Sequence, residues 1–276
     1  MDNILITGVS SGIGLHTASY FLSRGWRVFG SLRHTSDIRA LAQHEHFVPL
    51  IFDVTDERAI KLSVEAVSTE LKGETLDVLV NNAGVAYSGP LMHIPIADFK
   101  HQLDVNVTGT LLVTQAFLPL LGASLDHIGM PGRIVNIGSV SGKFATPFLG
   151  PYCASKYALE AISDALRREL VLYKISVSLL QPAAVKSAIW EKGKNAPVYT
   201  AGTDYARFEL FKEKLIAKEE KAAIETDEVA KVIWSIAQTK RPKTRYLITR
   251  NNFLYRIFFS APDRLTDRLF RNIFEH

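Results

Sequence analysis

Short, continuous apolar runs recur along the chain, separated by longer segments in which apolar and polar residues mix. Residues 3–7, 27–31, 47–53, 76–81, 133–138, 175–181 and 245–249 form runs of strand length. They are unbroken rather than alternating, which is the pattern of strands covered on both faces. Between them, residues 14–25, 55–72, 95–121, 152–173 and 226–240 read as helices. Thr55 precedes Asp56 and Glu57, and Thr226 precedes Asp227 and Glu228. Both threonines therefore read as N-caps with acid groups in the first turn. Strands and helices in this alternation predict an α/β fold, a doubly wound parallel sheet with right-handed crossovers. No Pro-, Gly- or Ser-rich linker divides the chain, so a single domain is expected.

The polar motifs fall on one edge of that sheet. Thr7-Gly8, Asp53, Asn81-Asn82-Ala83-Gly84, Ser139 and Pro182 each follow a strand directly, and ligands of open α/β sheets bind outside the carboxyl ends of the strands. The first strand runs into Gly8-Val9-Ser10-Ser11-Gly12-Ile13-Gly14. Gly8 suits the tight turn, Gly12 lets backbone approach a pyrophosphate, and Gly14 lets the helix pack closely. A ligand-free glycine loop is the plain alternative, which the strand-turn-helix context disfavours. Tyr152 and Lys156 stand four apart on a helix and share one face, where an ammonium would favour phenolate and lower the Tyr152 pKa. Asn106 lies within Val105-Asn106-Val107-Thr108-Gly109-Thr110, six poor helix formers in mid-helix, and broken local rules often mark functional sites.

The T-G-x-x-x-G-x-G turn, the Asn-Asn-Ala-Gly after the fourth strand and the Ser139…Tyr152-x-x-x-Lys156 set resemble the short-chain dehydrogenase/reductase family, to about Thr249. The stretch from Phe148 to Trp190 is most similar to retinol and hydroxysteroid dehydrogenase-like members. The resemblance implies a seven-stranded Rossmann sheet and NAD(P)-dependent interconversion of carbonyl and alcohol. It assigns Ser139 to the substrate carbonyl, Tyr152 to proton transfer, Lys156 to the Tyr pKa and the nicotinamide ribose, and Asn106 to a water that relays protons to Lys156. Cofactor contacts are implied at Gly8, Ser10, Ser11, Gly12, Ile13 and Gly14, at Asp53 and Val54 (adenine), and at Asn82, Ala83 and Gly84. Tyr152 and Lys156 also count among them, with Pro182, Val185 and Ser187 on the carboxamide. Asp53 reads equally as a helix cap. Ala183 stands where the family has Gly, which restricts the backbone, and Ser187 stands where it has Thr. NAD enzymes carry an acid about 20 residues past the glycines; here Leu32 occupies that place and Arg33 follows. A guanidinium suits a 2′-phosphate, so NADP(H) is expected, with a solvated loop charge as the other reading of Arg33.

Composition narrows the rest. The chain has 276 residues, 47% of them hydrophobic, and one cysteine, Cys153. That excludes an internal disulfide and fits a reducing cytosol, and Cys153 reads as a small buried hydrophobe. No secretory leader or apolar run of membrane-spanning length is expected. From Lys240 onward, nine Lys/Arg face three Asp/Glu, so the net +4 resides in the tail. The expected domain comprises an NADP-binding Rossmann body over 1–250, a substrate lid at about 183–225 rich in aromatics, and a C-terminal helical extension over 251–276. In that extension Phe253, Leu254, Ile257 and Phe258 recur at helical spacing before Pro262. The pattern favours a docked helix over weak peripheral membrane contact, because one short helix binds membranes weakly. The expected protein is a cytoplasmic enzyme, peripheral to a membrane if the extension touches one. It is a homo-oligomer acting on a lipophilic small molecule of retinoid, steroid or fatty-acyl type, with no metal site and no nucleic-acid partner. A 3-oxoacyl-thioester reductase and a non-catalytic dinucleotide-sensing regulator are the alternatives.

Overall fold

Seven strands, β1 (Asn3–Ile6), β2 (Arg27–Leu32), β3 (Phe47–Ile51), β4 (Val78–Asn81), β5 (Arg133–Ile137), β6 (Ser176–Pro182) and β7 (Arg245–Ile248), form one sheet. The order is β3-β2-β1-β4-β5-β6-β7 and every pairing is parallel. The computed structural model describes residues 1–186, 199–206 and 223–275. The helices within these are α1 (Gly12–Leu22), α2 (Glu57–Leu71), α3 (Ile96–Leu103), α4 (Gly109–Phe117), α5 (Gly150–Glu169), α6 (Thr226–Gln238), α7 (Asn252–Phe259) and α8 (Asp263–Glu275).

The unbroken apolar runs are explained by two cores, one on each face. Ile4, Ile6, Val28, Val80 and Val135 pack with Phe21 of α1 and with Val229 and Ile233 of α6. Leu5, Phe29, Leu79 and Ile134 point the other way, onto Ile60 and Val67 of α2, Val113 and Phe117 of α4 and Leu166 of α5. Each such fully buried side chain contributes roughly 1.5–3 kcal/mol of transfer free energy. The order in which strands are added reverses between β1 and β4, which leaves a crevice at their carboxyl ends.

Several local expectations change. Thr55 does not cap α2; its hydroxyl and amide both donate to Asp53 Oδ1, at 2.7 and 2.9 Å. Asp56 is the cap and accepts from Ala59 N at 3.0 Å. Likewise Glu225, not Thr226, precedes α6, and its amide donates to Glu228 Oε1 at 3.4 Å. β3 ends two residues early because Asp53 is drawn into the turn with Thr55. α5 begins at Gly150, with Pro151 in its first turn, where a missing amide costs nothing. The helix expected over 95–121 is continuous but not uniform: Asp104–Thr108 is a π-helical turn between α3 and α4. That helix, Ile96–Leu121, is long and apolar enough to cross a membrane by length and composition alone. It carries Asp98, Lys100 and Asp104, however, and buries Val113, Phe117 and Leu121 in the core.

Candidate active site

The crevice between β1 and β4 is built to close tolerances. Gly8 and Gly12 have φ of +73° and +59°, in the region that favours glycine. A Cβ on Gly14 would lie 2.2 Å from Gly8 O and 2.5 Å from Asn82 Nδ2. Asn82 clamps the turn, donating to Thr7 O at 2.8 Å and Gly8 O at 3.0 Å. Thr7 Oγ1 accepts from the amides of Asn82 and Ala83 at 2.9 Å. Gly8 N donates to Ser31 Oγ at 2.9 Å. Ser11 precedes α1 without a side-chain cap bond, and α1 has no acid in its first turn. The amides of a helix start lack intrahelical partners, so this end suits an anion. A glycine turn with no room for a Cβ at Gly14, leading into a helix N-terminus without an acid, fits a dinucleotide pyrophosphate.

At the end of β2 the acid position is held by Leu32, which is buried in the core, and Arg33 is exposed beyond it. Asp53 lies near enough to feel that guanidinium. Burial raises the Asp53 pKa, but the two Thr55 bonds and the charges of Arg33 and His101 outweigh it and hold the carboxyl below its ordinary value. Asp53 therefore fixes the turn after β3, beside Val54, which is buried.

Ser139 follows β5 in extended conformation, and its hydroxyl accepts from Ser141 N at 3.1 Å. Tyr152, in the first turn of α5, lies near enough to Ser139 for that hydroxyl to favour its ionised form. Lys156 is buried one turn later and donates to Ile137 O at 2.8 Å. Its Nζ is 5.6 Å from the centre of the Tyr152 ring. Here the electrostatics depart from expectation. Burial pushes the Tyr152 phenol up, against a smaller lowering by Ser139. Burial also pulls the Lys156 ammonium down to about 8. Desolvation wins because the ammonium is spent on a carbonyl rather than on the phenol oxygen.

Asn106 sits in the π-helical turn, almost wholly buried. Its Oδ1 accepts from Val85 N at 2.9 Å, and its Nδ2 donates to Val85 O and Ser155 Oγ, both at 3.0 Å. Ser155 in turn donates to Tyr152 O at 2.7 Å. Both ends of the Asn106 amide are thus engaged, and the side chain braces the 83–85 segment against α5. π-Turns inside α-helices are rare and concentrate at functional sites, which the run of poor helix formers had signalled. A Cβ on Gly84 would meet Asn106 Oδ1 at 3.2 Å, so the close approach of these segments depends on that glycine.

Beyond β6, Ala183 does not take a left-handed backbone and donates to Ile248 O at 3.0 Å, so alanine is tolerated there. Pro182 closes the strand, and Val185 is buried and bridges to Ile224. Ser187 lies outside the described residues, as do Ile189, Trp190, Phe208, Phe211 and Leu215 of the expected lid. The described lid residues Tyr199 and Tyr205 face neighbours across the site. Tyr199 donates to Asp98, and the Tyr205 ring meets Phe148 at 5.9 Å and His93 at 5.8 Å.

Three features escaped the sequence reading. Phe148 has φ +66°, an uncommon conformation for a bulky residue, and its carbonyl accepts from Gly89 N at 2.7 Å. Glu160, buried on α5, joins Lys143 at 3.1 Å, Arg245 at 2.9 Å and Gln181. Phe144, on the Ser139 loop, contacts Phe258 at 4.6 Å and Phe270 at 5.8 Å. Only Glu160 had a signal, a charge on the inner side of an amphipathic helix.

A family model described as short chain dehydrogenase matches residues 2–197. The chain is 38% identical to an NADPH-dependent 3-dehydrocapnine reductase of Ornithobacterium rhinotracheale, across 98% of this chain and 96% of that protein. It is 34% identical to human 17-beta-hydroxysteroid dehydrogenase type 1, across 89% of this chain and 77% of that one. A metagenomic short-chain oxidoreductase solved in complex with NADP superposes with a TM-score of 0.68 at 26% identity, covering 90% of this chain and 96% of that structure.

Proposed function

The chain belongs to the short-chain dehydrogenase/reductase family, and on that premise we propose that it interconverts a carbonyl and a primary or secondary alcohol on a lipophilic substrate, with NADP(H) as cofactor. The observation that carries this reading is the convergence of Ser139, Tyr152 and Lys156 at the carboxyl edge of the sheet, beside the Gly8–Gly14 cradle. Ser10, Ser11, Gly12 and Ile13 would hold the pyrophosphate, Arg33 the 2′-phosphate, and Asp53 and Val54 the adenine. Asn82, Ala83 and Gly84 would line the ribose path, with Tyr152 and Lys156 at the nicotinamide ribose. Pro182, Val185 and Ser187 would meet the carboxamide. When bound, NADPH supplies a hydride from the nicotinamide.

The chain's own groups handle the oxygen and its proton. Ser139 donates to the carbonyl and fixes it, and Tyr152 gives its proton to that oxygen as the carbon is reduced. In the oxidative direction Tyr152 takes the alcohol proton instead. Lys156 donates to the Ile137 carbonyl and does not offset the burial of the phenol here; its proposed role is to favour phenolate once cofactor and substrate fill the site, so that the proton is given up more readily while Lys156 stays protonated.

NADP(H) is favoured by Arg33 beside a buried Leu32, and the NADPH- and NADP-linked relatives support it. A lipophilic substrate is favoured by the aromatic rings of Phe148 and Tyr205 and by the steroid named for the human relative. NADPH oxidation over a panel of long-chain and steroidal ketones, aldehydes and acyl thioesters tests the reading. Turnover of a lipophilic ketone or aldehyde is expected. Turnover of thioesters alone makes it an acyl-thioester reductase, and cofactor binding with no turnover makes it a dinucleotide sensor; either result overturns the proposal.

A further inference from the structure

α7 carries apolar side chains around almost its whole circumference, yet none of its residues is buried. Phe253 is 72% exposed, Leu254 58% and Ile257 52%. On a helix, positions 253, 254 and 257 share one side, while Phe258 turns toward Phe144. Tyr255 and Phe259, half-buried, occupy the inner side with ring centres 6.1 Å apart. A helix covering a core would show the reverse, an apolar inner stripe and a polar outer one. Apolar surface of this kind marks an interaction site.

The charge on α7 itself is of one sign. α7 contains Arg256 and no acidic residue, and the exposed Arg250 precedes it. α8 has Arg264, Arg268 and Arg271 against Asp263, Asp267 and Glu275, and of these Arg264 and Arg268 stand four apart and exposed with Leu265 exposed between them. Exposed aromatic and aliphatic side chains beside arginines are the make-up of a helix lying in a lipid interface, where anionic headgroups meet the cations. A second copy of the chain fits less well, because self-pairing would gather Arg250 and Arg256 of both copies with no acidic residue of α7 to meet them.

The position of the face gives it a purpose. α7 follows β7 at the carboxyl edge of the sheet, the edge that bears the candidate site. Phe258 of α7 and Phe270 of α8 both contact Phe144, five residues beyond Ser139 on the same loop. We propose that the outer face of α7, with the arginines of α8, docks on an anionic bilayer and sets the mouth of the active site against the membrane surface. The inference stands on the tail alone and does not require the substrate to be lipophilic.

The full-length protein is to be sedimented with vesicles of phosphatidylcholine alone and of phosphatidylcholine mixed with phosphatidylserine, at low and high salt. Binding to the mixed vesicles is expected, weakened by salt and weak on phosphatidylcholine alone. Phe253→Ser with Ile257→Ser should reduce binding at least about tenfold, since it removes inserted apolar surface. Arg264→Gln with Arg268→Gln should weaken it roughly fivefold per charge on the mixed vesicles. Both variants alter exposed positions, so NADPH binding and turnover of a soluble carbonyl should persist and certify the fold. Failure of the wild type to sediment with mixed vesicles overturns the proposal. So does a change of oligomeric state in the Phe253/Ile257 variant on size exclusion without vesicle binding by the wild type, which would give this face to a second copy.

Discussion

Tyr152→Phe deletes one oxygen from a half-buried ring that otherwise keeps its packing, so the fold and NADPH binding should be retained while turnover falls. Positioned acid catalysis contributes a factor of about 10² to 10⁴, and single-turnover kinetics should show a loss of that size; undiminished turnover would remove Tyr152 from the chemistry. Lys156 adds a pH signature. Its ammonium, lowered to about 8 by burial, is charged below that pH and neutral above it. Reductive kcat/KM should therefore hold through neutrality and decline as pH rises through about 8. Lys156→Met should lose most activity and lack that limb; an unchanged limb assigns the titration to another group. Arg33 separates the cofactors. Charge-assisted hydrogen bonds contribute roughly 1.5–3 kcal/mol, so Arg33→Ala should weaken NADPH binding about tenfold to a hundredfold and leave NADH binding nearly unchanged. Equal losses measured by fluorescence titration would make Arg33 a structural residue.

At the scale of elements, the Ser139 loop, α5, β6 and β7 are held in register by one carboxylate. Glu160 accepts from Gln181 and pairs with Lys143 and Arg245, while Arg245 also reaches Asp164 at 3.0 Å. Breaking a fully buried pair costs several kcal/mol, but Lys143 and Arg245 are partly exposed and water recovers some of that. Glu160→Gln should lower stability by about 2 kcal/mol, read as a fall in the denaturant midpoint at constant slope. A midpoint within error of the wild type would show that the network is ornamental. The π-helical turn is held in the same manner, by Asn106 on Val85 and Ser155. Its poor helix formers made it visible in the sequence. Its partners were not, because Val85 lies 21 residues before it and Ser155 49 residues after it. The caps of α2 and α6 were misread for a related reason. Neighbouring Thr and Asp both cap well in isolation, and at α2 the choice fell to Asp56 because Asp53 had engaged Thr55.

For the molecule as a whole, a ligand that binds only the folded state stabilises it in proportion to its affinity. NADPH at a hundred times its dissociation constant should add about 2.7 kcal/mol, raising the unfolding midpoint by several degrees. NADH at the same concentration should raise it distinctly less, and equal shifts in a thermal scan would contradict the NADP preference. What the chain determined by itself was the sheet and its functional edge. Seven unbroken apolar runs can be satisfied only by strands buried on both faces, and glycines, Asn82, Ser139, Tyr152 and Lys156 sit at strand ends or on one helix face by local spacing alone. The tertiary structure decided the rest. Whether Lys156 faces a phenol or the Ile137 carbonyl, which acid caps a helix, and whether the apolar stripe of α7 turns inward or outward depend on groups distant in sequence. Desolvation and hydrogen-bond competition act only once those groups have been brought together.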